Sequence, residues 1–153
     1  GGDIDPAADC LLEGRHNMCQ VFTVDNLKYL KKGGRISNLK AAVGTVLQIK
    51  PLLKGDPEGK IVCFAQVRGR KKSIELMAEQ YDRYVEHAEC ETIGIAHGDC
   101  PEDAEALIAL LNRNHPPKNI INACYEPMTG AHVGPGALAL FFYGKKEFRQ
   151  ATK

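Results

Sequence analysis

Two apolar runs suited to strands, Gln48 to Leu53 and Lys60 to Val67, flank Asp56-Pro57-Glu58-Gly59, a strong turn sequence. A hairpin here commits the chain to a sheet with an antiparallel pair. Pro51 inside the first arm lacks an N–H for the ladder and requires an edge or a bulge. Downstream the period changes. Ile74, Met77, Ala78, Tyr81, Tyr84 and Val85 recur at i, i+3, i+4, i+7, while Glu75, Glu79, Asp82 and Glu86 face water, which predicts an amphipathic helix. Thr92 to Ala96, Asn119 to Tyr125 and Ala137 to Tyr143 read as strands, and Pro101 opens a helix with Ala104, Leu107, Ile108 and Leu111 on one face. Upstream, Asp5-Pro6 predicts a helix from about Pro6 to Cys19, weakened by Gly14, followed by a short strand at Val21 to Val24. Asp25 is placed to cap a helix carrying Leu27 and Leu30 and ended by Gly33-Gly34, and a further short helix is expected from about Asn38 to Leu47. Alternating strands and helices with one hairpin predict an α/β fold, a two-layer domain with a mixed β-sheet and helices.

The chain has 153 residues, 44% hydrophobic and 25% charged, enough for one domain with a real core. A net charge of +1 argues against a general nucleic-acid or membrane binder. The charge is unevenly placed: Lys28 to Lys72 holds 12 Lys and Arg against 2 acids, and Ser73 to Glu105 holds 10 acids against Arg83 alone. Six cysteines without a C-x-x-C pair read as reduced thiols of a cytoplasmic protein, with Cys63 and Cys124 in apolar runs that suit buried thiols. No apolar stretch is long enough to span a bilayer, and Gly1-Gly2 reads as an added or cut end.

Three segments carry candidate chemistry. In Gly130-Ala131-His132-Val133-Gly134-Pro135-Gly136 the glycines permit a tight backbone path whose N–H groups can converge, and His132 can donate to a carboxylate or phosphate. The alternative is a sharp turn whose histidine is satisfied by backbone carbonyls. In Gly33-Gly34-Arg35-Ile36-Ser37 a guanidinium and a hydroxyl follow a helix end, suited either to an anion or to the helix's own carbonyls. Arg68-Gly69-Arg70-Lys71-Lys72 reads as an exposed basic loop. Such a run is ordinarily plain solvated surface; it has no interleaved aromatic residues for stacking on nucleic acid, so among functional readings an acidic protein partner or an anionic headgroup suits it better. His97-Gly98-Asp99-Cys100 has no second ligand pair at zinc-like spacing, and no P-loop, dinucleotide fingerprint or nucleophile elbow is present. No cofactor, no metal and no enzyme follow from the motifs.

Five ordered motifs resemble the carboxy-terminal half of the DegV family of bacterial fatty-acid-binding proteins. They are Phe22-x-Val24-Asp25-x-Leu27-x-Tyr29-Leu30-x-x-Gly33-Gly34-Arg35-Ile36-Ser37, Ile49-Lys50-Pro51-Leu52-Leu53, Val67 to Lys72, His97-Gly98-Asp99, and Gly130-x-His132-x-Gly134-Pro135-Gly136. The resemblance implies a non-enzymatic carrier that holds a long-chain fatty acid in a tunnel and presents its carboxylate to a fatty acid kinase for acyl-phosphate formation and phospholipid synthesis. It implies His132 in the carboxylate's hydrogen-bond network, with Gly134, Gly136, Arg35 and Ser37 beside it. Arg68, Arg70, Lys71 and Lys72 become the kinase-facing residues, with transient contact to a membrane surface and no nucleic acid. Ile36, Leu39, Val43, Leu47, Leu140 and Phe142 are candidate tunnel residues, each of them better suited to plain core than to lining. Residues 1–20 then read as a connection from an amino-terminal domain and 21–153 as the lipid-binding domain. Because family members are about twice as long, a half-site is expected to bind weakly. Two rivals stand beside this reading: a lipid-free interaction module, and a subunit of a dihydroxyacetone-kinase-like enzyme in which His132 would bond covalently to a small ketone.

Overall fold

The computed structural model describes residues 2–34 and 49–150. The expected helix from Asn38 to Leu47 lies outside them. The first helix, α1 (Ile4–Gly14), buries no residue and is shorter than the sequence predicts. Its continuation to Cys19 is corrected by the sheet: the Asn17 N–H donates to the Gly14 carbonyl and its side-chain amide to the Gly144 carbonyl, which turns the chain into β1 (Met18–Thr23). Cys19 is fully buried there opposite Phe142. After α2 (Lys28–Lys32) the described chain resumes with the predicted hairpin, β2 (Ile49–Gly55) and β3 (Ile61–Arg68). Pro51 pairs with Gln66 but lies beyond the residues of β2 that pair with β1, and the ladder to β3 bulges between Leu52 and Leu53.

Next comes α3 (Arg70–Tyr84), so Arg70, Lys71 and Lys72 form the first turn of a helix and not a loop. Gly69, at φ 91°, makes the sharp entry that a side chain would oppose. There follow β4 (Thr92–His97), α4 (Pro101–Asn114), β5 (Asn119–Cys124), α5 (Pro127–Val133), β6 (Leu138–Tyr143) and α6 (Glu147–Gln150).

The six strands form one sheet in the order β3-β2-β1-β6-β4-β5, parallel only between β4 and β5. Alternation along the strands divides the interior in two. On one face Cys19, Val21, Leu138, Leu140 and Phe142 pack with Ile93 and Ile95 against Ile74, Met77 and Tyr81 of α3 and Leu107 and Leu111 of α4. Phe142 meets Tyr81 and Phe148 edge-on, with centroids 5.2 and 5.9 Å apart. On the reverse face Phe22, Leu53 and Ala139 pack with Leu30 of α2 and Val133 of α5. The sheet is mixed and the fold α/β, as expected. Cys124 is exposed, contrary to expectation, because β5 is an edge strand with little packed on it, whereas Cys19 and Cys100 are the buried thiols. Among the described residues no helix is long and apolar enough to cross a membrane.

Candidate functional site

His132 sits in the last turn of a short helix, not in an irregular loop. Pro127 occupies the first turn, and the Glu126 side chain caps α5 by accepting from the Thr129 N–H at 3.1 Å. The helix stops at Gly134, whose φ of 79° reverses the chain while its N–H donates to the Gly130 carbonyl at 2.8 Å. The Gly136 N–H donates to the Gly98 carbonyl at 2.7 Å, and the Gly98 N–H returns a bond of 2.7 Å to the Ala137 carbonyl. The expected convergence of glycine N–H groups on an anion is therefore corrected: the donors of Gly134 and Gly136 are consumed inside the protein.

The glycines serve close approach instead. A Cβ on Gly33 would lie 2.6 Å from the Nδ1 atom of His132, one on Gly134 would overlap the Tyr29 ring, and one on Gly136 would lie 2.5 Å from a carboxylate oxygen of Asp25. The segment from Asp25 to Gly33 and the segment from His132 to Gly136 thus interlock, each carrying glycine where the other passes. Two motifs a hundred residues apart in sequence are one structure. His97-Gly98-Asp99 braces it from the end of β4: His97 is buried, its Nδ1 accepts from the Cys100 N–H at 3.3 Å, and Asp99 takes a positive φ of 53°. Among the described residues no group of three or more His, Cys, Asp or Glu is placed to hold a metal.

Leu140 and Phe142 are fully buried on the sheet face that packs against α3 and α4. The structure therefore separates them from His132, and Ala139 and Phe141 are the residues of β6 that point to its side. Arg35, Ser37, Ile36, Leu39, Val43 and Leu47 lie outside the described residues.

The four basic residues divide. Arg68 and Lys71 are exposed, and Lys72 reaches Glu75 at 3.2 Å and Glu79 at 3.7 Å. Arg70 turns inward, with Nε 2.8 Å from Asp103 of α4, Nη1 3.8 Å from Asp25 and Nη2 donating to the Cys100 thiol at 3.6 Å. A cation in the first turn of a helix opposes the helix dipole, and the two carboxylates offset that. Burial pushes the Cys100 thiol up and the Arg70 guanidinium opposes this; burial drives the Tyr125 phenol to about 12. The expected cap by Asp25 is corrected: α2 has no side-chain cap, Asn26 accepts from the Lys28 N–H, and the Asp25 carboxylate pairs with Lys50 at 2.7 Å. Asp25, Tyr29 and Gly98 join the candidate site by these contacts and those of the glycines, which motif reading did not foresee.

The sequence profile described as "Uncharacterised protein, DegV family" matches residues 1–145. A DegV domain-containing protein of Clostridium perfringens is 40% identical over 144 residues, 94% of this chain and 50% of that protein. The crystal structure of a fatty acid binding DegV family protein from Streptococcus agalactiae superposes with a TM-score of 0.81 at 31% identity, over 94% of this chain and 50% of that one. A DegV family protein from Ruminococcus gnavus, solved with vaccenic acid, shares the fold with a TM-score of 0.85 at 24% identity, over 93% of this chain and 50% of that one. The chain spans about half the length of the curated relatives it matches. On its profile match, its identity to these relatives and its sheet, the chain belongs to the DegV family.

Proposed function

We propose that this chain holds a long-chain fatty acid with its hydrocarbon over the reverse face of the sheet and its carboxylate at His132, and presents that carboxylate to a fatty acid kinase. The observation that carries the reading is the position of His132: half-buried, against the end of α2, and one residue from Val133 in the reverse-face apolar cluster. The likeness to the S. agalactiae fatty acid binding protein supports it. About fourteen methylenes at about 0.8 kcal/mol each offer roughly 10 kcal/mol of gross burial, less the cost of ordering the chain. One hydrogen bond to the head group adds about 1–3 kcal/mol. The tail supplies affinity and the imidazole supplies orientation.

Arg35 and Ser37, just beyond Gly34 in sequence, are the proposed further partners of the carboxylate, and Ile36, Leu39, Val43 and Leu47 the apolar residues over the acyl chain. Arg68, Lys71 and Lys72 offer the kinase an exposed basic edge, and Arg70 supports it from within. The delipidated full-length protein is expected to take up palmitate or oleate by native mass spectrometry, with His132→Ala weakening uptake by about tenfold, the weight of one head-group hydrogen bond. Equal uptake by variant and parent would remove His132 from the site.

A further inference from the structure

We infer that Asp25 is a positioning residue for His132, acting through the Gly134-Pro135-Gly136 turn. One carboxylate oxygen lies 2.7 Å from the Lys50 ammonium on β2 and 3.8 Å from Arg70 on α3. The other fills the space that a Cβ on Gly136 would need. Arg70 is itself held by Asp103 on α4. Two cations from different elements thus fix Asp25, and Asp25 closes one side of the turn that ends α5. The other side is closed by the two 2.7 Å bonds between Gly98 and the Gly136–Ala137 backbone. With both sides closed, the last turn of α5 has one position, and His132 meets Gly33 there.

The network makes little sense as a stability device. The Asp25 side chain is half exposed although Lys50 and Arg70 are largely covered, so the pairs are partly screened and their contribution to stability is modest. Geometry is another matter, since a head-group contact depends on placement to a fraction of an ångström. The expected signature is therefore a split: nearly unchanged melting, but a displaced imidazole.

The functional half of this inference rests on the fatty-acid reading, so the test keeps the two apart. Imidazole resonances of the ligand-free protein are recorded by NMR for the parent, Asp25→Ala and Asp25→Asn. Asp25→Ala is expected to move the His132 signals while those of the distant His87 and His115 stay in place. Asp25→Asn, which keeps the bulk beside Gly136 and loses the charge, is expected to fall between. Palmitate affinity of Asp25→Ala is expected to drop about tenfold, as for losing one placed hydrogen bond. Should Asp25→Ala fail to fold, Lys50→Gln removes the nearer cation and leaves the turn's neighbours intact, with a smaller shift of His132 expected. Unmoved His132 signals in the folded variants overturn the inference. Palmitate uptake by the parent protein tests the fatty-acid reading on its own.

Discussion

At the scale of single residues, the glycines of the interlock separate two kinds of constraint that look alike in sequence. Gly33 has an ordinary φ of −75°, and what a side chain would meet is the tip of an imidazole, a group able to swing aside. Gly134 combines φ 79° with the Tyr29 ring in the way of any Cβ. Gly33→Ala is thus expected to leave thermal stability within about 1 kcal/mol while displacing His132 and weakening ligand uptake. Gly134→Ala is expected to cost about 1–3 kcal/mol or more through backbone strain alone. Chemical denaturation of the two variants side by side checks the order. Similar losses from both would mean that the contact, and not the backbone angle, sets the requirement.

At the scale of elements, Phe142 shows how alternation along β6 divides the labour. It packs edge-on between Tyr81 and Phe148 and is 1% exposed, so Phe142→Ala is expected to cost about 3–5 kcal/mol, read as a shift in the denaturation midpoint. Its sequence alone could not assign it to that face. The run Ala137 to Phe142 is apolar at every position because both faces of β6 are covered, and a strand without polar alternation carries no signal of parity. The hairpin, the helix over Ile74 to Tyr84 and the strand, helix and strand around Pro101 were legible, since each couples a clear period to a turn or cap, whereas the parallel pairing of β4 with β5 was not. The start of α3 was not, because three successive cations read as solvated loop until Asp25 and Asp103 are brought to Arg70 by the fold. For α5 a signal existed and was weak: Glu126-Pro127 with Thr129 is a helix start, but the glycines that follow speak more loudly for a loop. Of the candidate site, His132 and the need for glycine could be read locally. What the glycines make room for is a long-range fact, and periodicity does not report it.

At the scale of the whole molecule, the buried titratable groups set the alkaline limit. Burial pushes the Cys19 thiol from 9.0 to about 12, and the phenols of Tyr81 and Tyr125 from 10.0 to about 12. Each folded value exceeds the unfolded one, so the folded state holds its proton longer and each contribution is fully present below about pH 9. It is then lost progressively as the pH rises toward about 12. Lys54 acts in the opposite sense, because burial lowers its value and folding is relieved of a buried cation as the pH climbs. Burial raises the Cys63 and Cys100 thiols as well, so with these groups set against Lys54, stability by urea titration is expected to fall between about pH 9 and 11. Tyr81→Phe should flatten that fall and leave stability at pH 8 nearly unchanged, since the Tyr81 hydroxyl is buried with no hydrogen-bond partner among the described residues. A slope in Tyr81→Phe equal to that of the parent would assign the alkaline limit elsewhere.

The outer flank of β5 has a consequence for anyone concentrating this polypeptide. Among the described residues that strand has no second neighbour, and Ile121 at its middle is 62% exposed. A row of unmet amide and carbonyl groups beside a greasy side chain is a template on which another chain can lay down a strand of its own. A charged replacement such as Ile121→Lys would blunt that template, and lower turbidity of the concentrated variant than of the parent would show that the flank is used.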